Sequence, residues 1–244
     1  MSITNSGPPP VPPPASGSRV LLIGASRGLG LALAGEWAQD GRHVVATVRG
    51  SDRTPLHDLA DACAGHIEIE TVDVTEPEQI AALHDRLADQ MFDLLFVNAG
   101  VTNQPEGTVA ETSTSEFSRV MVTNALSPLR VIEALQDRVE PAGTIGVMSS
   151  GQGSVANNER GGHEVYRGSK AALNTFMRSY AARHSGDRRT LVLMAPGWVR
   201  TELGGPDARL STGESIPSLV RTLDGLRGRP GLHYVDYLGR TVAW

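Results

Sequence analysis

Short blocks of consecutive apolar residues recur along the chain, and most are followed by a segment whose apolar positions return every three or four residues. A block apolar on both faces suits a strand covered from both sides, and the three-to-four spacing suits a helix lying on a sheet. Arg19-Val20-Leu21-Leu22-Ile23 is the first block, with Leu29, Leu31, Leu33, Ala34 and Trp37 as the first helical stripe. Residues 43–48, 66–74 and 92–97 predict strands two to four, and 144–148, 191–195 and 232–235 predict strands five to seven. Leu56, Leu59 and Ala60 mark a short helix, and another spans 77–90 with Pro77 suited to its first turn. Further helices are predicted over 114–135, with a kink at Pro128, and over 164–183 and 215–226. Strands alternating with helices of this length imply an α/β fold, a doubly wound parallel sheet in a single domain over 19–244.

This Rossmann-type arrangement binds ligands beyond the carboxyl ends of its strands. Gly24, Arg49, Asp73, Asn98, Ser150 and Pro196 all fall at or just after such an end and should line one crevice. The turn Gly24-Ala25-Ser26-Arg27-Gly28-Leu29-Gly30 joins the first strand to the first helix. Its glycines permit a tight bend and close approach of backbone N–H groups to a phosphate, so a pyrophosphate is the ligand it suits. Alone, such a turn can also exist without a ligand.

Lys170 is the only lysine; the other 21 of the 22 basic residues are arginine. It follows Tyr166 by four residues, which on a helix places both on one face. A compact ammonium can approach a phenol where a planar guanidinium cannot. At about 4 Å and an effective dielectric near 20, roughly 4 kcal/mol would favour the phenolate, taking a tyrosine pKa from about 10 to about 7. A phenol so tuned would serve as an acid or base at neutral pH. The same pair on a solvated surface would only stabilise the helix slightly.

Composition narrows the classes. Hydrophobic residues make up 40% of 244 positions, enough for one substantial core. Residues 1–18, with Pro8–10 and Pro12–14, read as a disordered or polyproline-like tail. Neither a signal peptide nor an apolar run long enough to span a bilayer is present, so the expected setting is cytoplasmic, with no membrane partner. A formal charge of −5 argues against a nucleic-acid surface. The single Cys63 excludes an internal disulfide or a cysteine metal cluster, the seven histidines lack ligand spacing, and no metal is expected.

The ordered set GASRGLG at 24–30, Asp73-Val74, Asn98-Ala99-Gly100, Asn124, Ser149-Ser150, Tyr166 with Lys170, and Pro196-Gly197 leading to Thr201 resembles the short-chain dehydrogenase/reductase superfamily. Gly161-Gly162 before Tyr-Arg-x-Ser-Lys, and the ending Asp236-Tyr237-x-Gly239 through Trp244, are similar to the C-factor and sniffer-like carbonyl reductases. The resemblance implies that Tyr166 is the general acid or base. Lys170 would lower the tyrosine's pKa and bind the nicotinamide ribose, Ser150 would hold the substrate oxygen, and Asn124 would keep a relay water beside the lysine. Ser149 is the neighbouring alternative to Ser150.

It also implies a cofactor pocket. Gly24, Gly28 and Gly30 would sit under the pyrophosphate, with Ser26, Arg27 and Leu29 in the same turn. Asp73 and Val74 would lie beside adenine, Asn98, Ala99 and Gly100 beneath the ribose, and Pro196, Gly197, Val199 and Thr201 around the nicotinamide. Helix capping by Asp73, or plain turns at 98–100 and 196–197, would use the same residues. Arg49, in place of an acidic residue, can grip a 2′-phosphate, and Arg27 adds a second cation, so NADP(H) is expected over NAD(H). Ile23 stands where many relatives carry threonine, removing a hydroxyl that steadies the turn.

The expected activity is hydride transfer between nicotinamide and a small-molecule carbonyl or alcohol, in a homo-oligomer (dimer or tetramer) with contacts near 114–135 and 164–183. Loops at 101–113, 151–163 and 197–212 would shape the substrate pocket, with Trp198 and Leu203 as apolar walls. A dinucleotide-binding regulator that senses NADP(H) without turnover is the alternative, although binding alone does not require Ser150, Tyr166 and Lys170 together.

Overall fold

Seven strands pair in parallel, in the order β3-β2-β1-β4-β5-β6-β7. The computed structural model describes residues 17–103 and 106–244. The strands are β1 (Arg19–Ile23), β2 (His43–Val48), β3 (Ile67–Thr71), β4 (Phe92–Val97), β5 (Val139–Met148), β6 (Thr190–Ala195) and β7 (Gly231–Asp236). The helices are α1 (Gly28–Gln39), α2 (Pro55–Ala62), α3 (Pro77–Arg86), α4 (Thr114–Met121), α5 (Ser127–Leu135), α6 (Glu164–Arg183) and α7 (Thr212–Leu226).

Alternation along each strand explains why the blocks are apolar throughout. Leu21 and Ile23 join α3, α5 and α6 residues such as Leu83, Ile132 and Met177 on one face of the sheet. Val20 and Leu22 join Leu33, Trp37 and Leu219 from α1 and α7 on the other. Each fully buried Leu, Ile or Val contributes roughly 1.5–3 kcal/mol. Gly146 makes room for Phe96, whose ring a Cβ there would approach to 2.5 Å. Phe96 in turn meets the edge of Trp37, with centroids 6.0 Å apart.

Chain reversal of strand order occurs between β1 and β4, and the crevice at their carboxyl ends is the switch point where ligands bind in such sheets. The segment 114–135 departs from expectation. Upstream of Pro128 the helix widens into one π turn, Val122–Leu126, between α4 and α5. Pro128 has no N–H to give the Asn124 carbonyl, and the ladder relaxes one turn upstream while its dihedrals stay right-handed. Strand β3 is shorter than predicted and β5 longer, the latter continuing across a register shift opposite Phe92 and Leu94.

The tail expected over 1–18 lies mostly outside the described residues, but Ser18 is buried and its carbonyl accepts the His43 N–H at 3.0 Å. On the helical faces considered for self-association, Val120, Ile132 and Met177 are buried within the chain, whereas Phe117, Leu126 and Phe176 are exposed. Among the described residues no helix is long and apolar enough to cross a membrane.

At the opposite end of the sheet, Arg42 is buried and donates two hydrogen bonds to Asp224, at 3.0 and 2.6 Å, joining the start of β2 to α7. Asp224→Ala strands that guanidinium, leaving only Asp40 at 3.3 Å. The expected loss is about 3 kcal/mol, read as a fall in melting temperature of roughly 10 °C. A melt within a degree or two of the parent would show that the pair contributes nothing.

Candidate active site

Helix α6 carries Tyr166 and Lys170 one turn apart, and the Lys170 Nζ lies 5.9 Å from the centroid of the Tyr166 ring. The two side chains therefore enter the same crevice. Lys170 is only 3% exposed, and its ammonium donates to the Met148 carbonyl at 2.9 Å, at the carboxyl end of β5. Burial pulls its pKa down to about 8. Tyr166 is half-buried. Burial pushes its phenol above the ordinary value, a hydrogen bond with Ser150 acts in the opposite direction, and Tyr234 adds to the rise.

The expected drop in the tyrosine pKa toward 7 is therefore reversed. The Lys170 ammonium is directed to a backbone carbonyl, and desolvation of the phenol is the largest influence on its shift. A phenol kept protonated at neutral pH is a proton donor, the form that reduction of a carbonyl uses.

The adjacent serines have different surroundings. Ser149 is buried and donates to Asn174 Oδ1 at 2.6 Å, while Asn174 Nδ2 donates to the Gly153 carbonyl at 3.1 Å. Ser150 faces Tyr166, and its hydroxyl accepts the Gln152 N–H at 3.1 Å. Asn124 lies in the π turn, fully buried. Its Oδ1 accepts the Val101 N–H at 2.8 Å, and its Nδ2 reaches the Val101 carbonyl at 2.8 Å and Ser169 Oγ at 2.9 Å. A Cβ on Gly100 would sit 3.5 Å from both Asn124 Oδ1 and Lys170 Nζ, so those groups flank the same glycine.

The glycine turn lies beside this cluster. Gly24 has φ +88°, and a Cβ there would come within 2.9 Å of the Ala99 nitrogen. A Cβ on Gly30 would collide with the Gly24 carbonyl and approach the Asn98 amide to 2.7 Å. Asn98 Nδ2 itself donates to the Gly24 carbonyl at 2.7 Å. Arg27 precedes α1 without capping it, and the first turn of α1, with Leu29, holds no acidic residue. Its N–H groups and the helix dipole together suit an anion, and the space left by missing side chains suits a pyrophosphate. The chain fits a dinucleotide here.

One contributor escaped the sequence reading. Thr47, buried in β2, accepts the Gly24 N–H on its hydroxyl at 2.9 Å, and its carbonyl accepts the Ala25 N–H at 2.8 Å. It supplies from the neighbouring strand the hydroxyl that Ile23 lacks. Only the side-by-side register of β1 and β2 could have revealed it.

The remaining candidates divide by environment. Val74 is buried, and Asp73 Oδ1 accepts both the Thr75 N–H at 2.9 Å and the Thr75 hydroxyl at 2.7 Å, a local turn before α3. Gly197 has φ +84°, Val199 is buried, and Thr201 lies 3.8 Å from where a Gly28 Cβ would be, so 196–201 borders the glycine turn. The Pro196 carbonyl accepts the Ser215 hydroxyl at 2.7 Å. Ser26 in the glycine turn is half-buried, whereas Arg49 and Arg27 are exposed. Arg27 pairs with Glu202 across the crevice at 2.7 Å. Trp198 and Leu203 are about half exposed, and Trp198 Nε1 donates to the Gly204 carbonyl at 2.7 Å.

A family model described as Enoyl-(Acyl carrier protein) reductase matches residues 24–213. Among curated proteins, C-signal of Myxococcus xanthus is 36% identical over 154 residues, covering 62% of this chain and 92% of that protein. A short-chain dehydrogenase/reductase from Burkholderia multivorans, solved with bound NADP, is 59% identical with a TM-score of 0.92, covering 93% of this chain and 99% of the other. A carbonyl reductase from Pseudomonas aeruginosa PAO1, in complex with NADP, is 35% identical with a TM-score of 0.87, covering 94% and 100%.

The buried ammonium leaves a signature in stability. Lys170 titrates near 10.5 when unfolded and about 8 in the fold, so between those values the unfolded chain binds more protons and rising pH stabilises the fold. Below about pH 8 both states carry the charge and the full burial penalty is present. Relative to Lys170→Met, the wild-type protein should gain stability from about pH 8 to 10, approaching on the order of 3 kcal/mol over the whole window. Thermal melts of both proteins across that range measure it; parallel profiles would refute it.

Proposed function

The chain belongs to the short-chain dehydrogenase/reductase superfamily, and from that premise we propose that it is an NADP(H)-dependent carbonyl reductase acting on a small-molecule ketone, aldehyde or the corresponding alcohol. The observation that carries the reading is the convergence of Tyr166, Lys170 and Ser150 beside a glycine turn able to receive a pyrophosphate. Bound NADPH supplies the hydride.

The chain's own groups do the rest. Ser150 donates a hydrogen bond to the carbonyl oxygen without bringing a charge. Tyr166, held protonated by burial, delivers its proton to that oxygen. The Lys170 ammonium stabilises the phenolate left behind and holds a ribose hydroxyl. Asn124 keeps the π turn and Val101 in register, fixing the floor on which Lys170 stands. Arg49 and Arg27 receive a 2′-phosphate, with Glu202 yielding its partner to it. The proposed small-molecule pocket lies between Trp198, Leu203 and the 151–163 loop. A binding-only regulator has no use for a desolvated phenol beside a serine hydroxyl, so turnover is the favoured reading.

Tyr166→Phe should keep NADPH affinity within about twofold and lower turnover by at least roughly 100-fold, measured by NADPH absorbance against a panel of aldehydes, ketones and quinones. Retained turnover in that variant would remove Tyr166 from the chemistry. For cofactor choice, calorimetric titration of Arg49→Ala should show NADPH binding weakened by about tenfold, with NADH binding nearly unchanged. A parent protein that binds NADH more tightly than NADPH would overturn the assignment.

A further inference from the structure

Ser150 begins a short 3₁₀ turn and is followed by Gly151 and Gly153, which give its backbone little stiffness of their own. Its carbonyl nevertheless accepts two hydrogen bonds, from the Gly153 N–H at 2.9 Å and from the Tyr234 hydroxyl at 2.5 Å. Tyr234 sits in β7, 2% exposed, with its phenol also near Ser149 and Asn174. Phenylalanine would fill the same space; the hydroxyl is what reaches Ser150.

Tyr234 is held from behind. After β7 the chain reverses around Asp236, whose Oδ1 accepts the N–H groups of Leu238 and Arg240 at 3.0 Å each. The returning strand bridges Thr241 to Val235 and donates the Val242 N–H to the Tyr234 carbonyl at 2.9 Å. Trp244 is thereby brought against the Tyr234 ring, tilted, with centroids 5.3 Å apart, and the Arg178 guanidinium lies over the Trp244 ring at 4.5 Å. The Trp244 carbonyl also accepts the Ala156 N–H at 2.9 Å. Both ends of the 150–156 segment, one a carbonyl and the other an amide, are therefore tied to one aromatic pair.

We propose that Tyr234, backed by Trp244, is a positioning residue that fixes the Ser150 turn and the substrate loop leaving it. The proposal rests on the reading of Ser150 as the group that holds the substrate oxygen. Because the contact is to the Ser150 backbone, its effect should fall on the hydroxyl's aim and not on cofactor binding.

The test uses the full chain and the variants Tyr234→Phe, Trp244→Leu, Ser150→Ala and the double variant Tyr234→Phe/Ser150→Ala. Tyr234→Phe should lower kcat by about 3–10-fold, the range expected for one hydrogen bond, with the NADPH Kd within about twofold. In the Ser150→Ala background the same change should have almost no further effect, since its route of action is gone. Equal losses in both backgrounds, or no loss in either, would overturn the proposal. Hydrogen exchange supplies an arm independent of turnover: amides of 151–156 should exchange faster in Tyr234→Phe and Trp244→Leu while those of β6 do not change. Unaltered protection of 151–156 in both variants would equally overturn it. Should the parent reduce no carbonyl, the enzymatic reading falls, and the exchange result still decides whether this aromatic pair holds the turn.

Discussion

A desolvated ammonium bonded to the end of a strand organises this molecule. Lys170 donates to the Met148 carbonyl from within the protein, and removing such a charge from water costs on the order of several kcal/mol. That cost is tolerable only where an acceptor stands ready and the head group is small. The last carbonyl of β5 meets the first condition. Lysine, used nowhere else in a chain whose other cations are all arginine, meets the second. Once α6 is anchored there, its neighbours have little freedom. Gly153 must lack a side chain because a Cβ would press within 3.0 Å of the Lys170 backbone and stem. Asn174, one turn further along α6, takes the Ser149 hydroxyl and returns its amide to the Gly153 carbonyl. The strand-ending serines are thus sorted, one inward to the helix and the other toward the phenol.

Most of the sheet was legible because its strands are apolar on both faces and its turns carry glycine or proline. Strands 19–23, 43–48 and 92–97 and helix 164–183 occupy the predicted positions, since their signals are local. What was illegible depends on neighbours distant in sequence. The extension of β5 back to Val139 follows its pairing with Phe92, and the hydroxyl that steadies Gly24 comes from Thr47 on the adjoining strand. Pro128 announced a disturbance, yet that it takes the form of a widened turn at 122–126 depends on what the flanks pack against. Here Asn124, bonded on two sides to Val101, holds the widened turn in place. One missed signal was local. Ser211 and Glu214 form a capping box that starts α7 three residues before the apolar stripe that had marked it.

The sign of the tyrosine shift illustrates a different limit. Spacing along a helix tells which residues share a face, but it does not tell how much water remains around them. A Coulomb estimate from spacing alone favours the phenolate. The folded environment strips solvent from the phenol and the ammonium alike, and desolvation moves their pKa values apart, up for Tyr166 and down for Lys170. Both neutral forms are favoured by the same burial.

The cations proposed to meet the cofactor obey the opposite rule. Arg27 and Arg49 are exposed, and the ion pair between Arg27 and Glu202 has both partners 71% exposed. Exposed pairs of this kind are worth about 0–1 kcal/mol and weaken with salt, so under the proposed function Glu202 could release Arg27 to a phosphate at small cost. A buried arginine would have to be satisfied permanently by the protein and would have no free fork to offer. Under the proposed function the crevice would separate two electrostatic tasks by depth. Groups proposed to move a proton would be desolvated, where burial adjusts their pKa values, and groups proposed to select a doubly charged phosphate would stay at the rim, where water maintains them until a ligand replaces it.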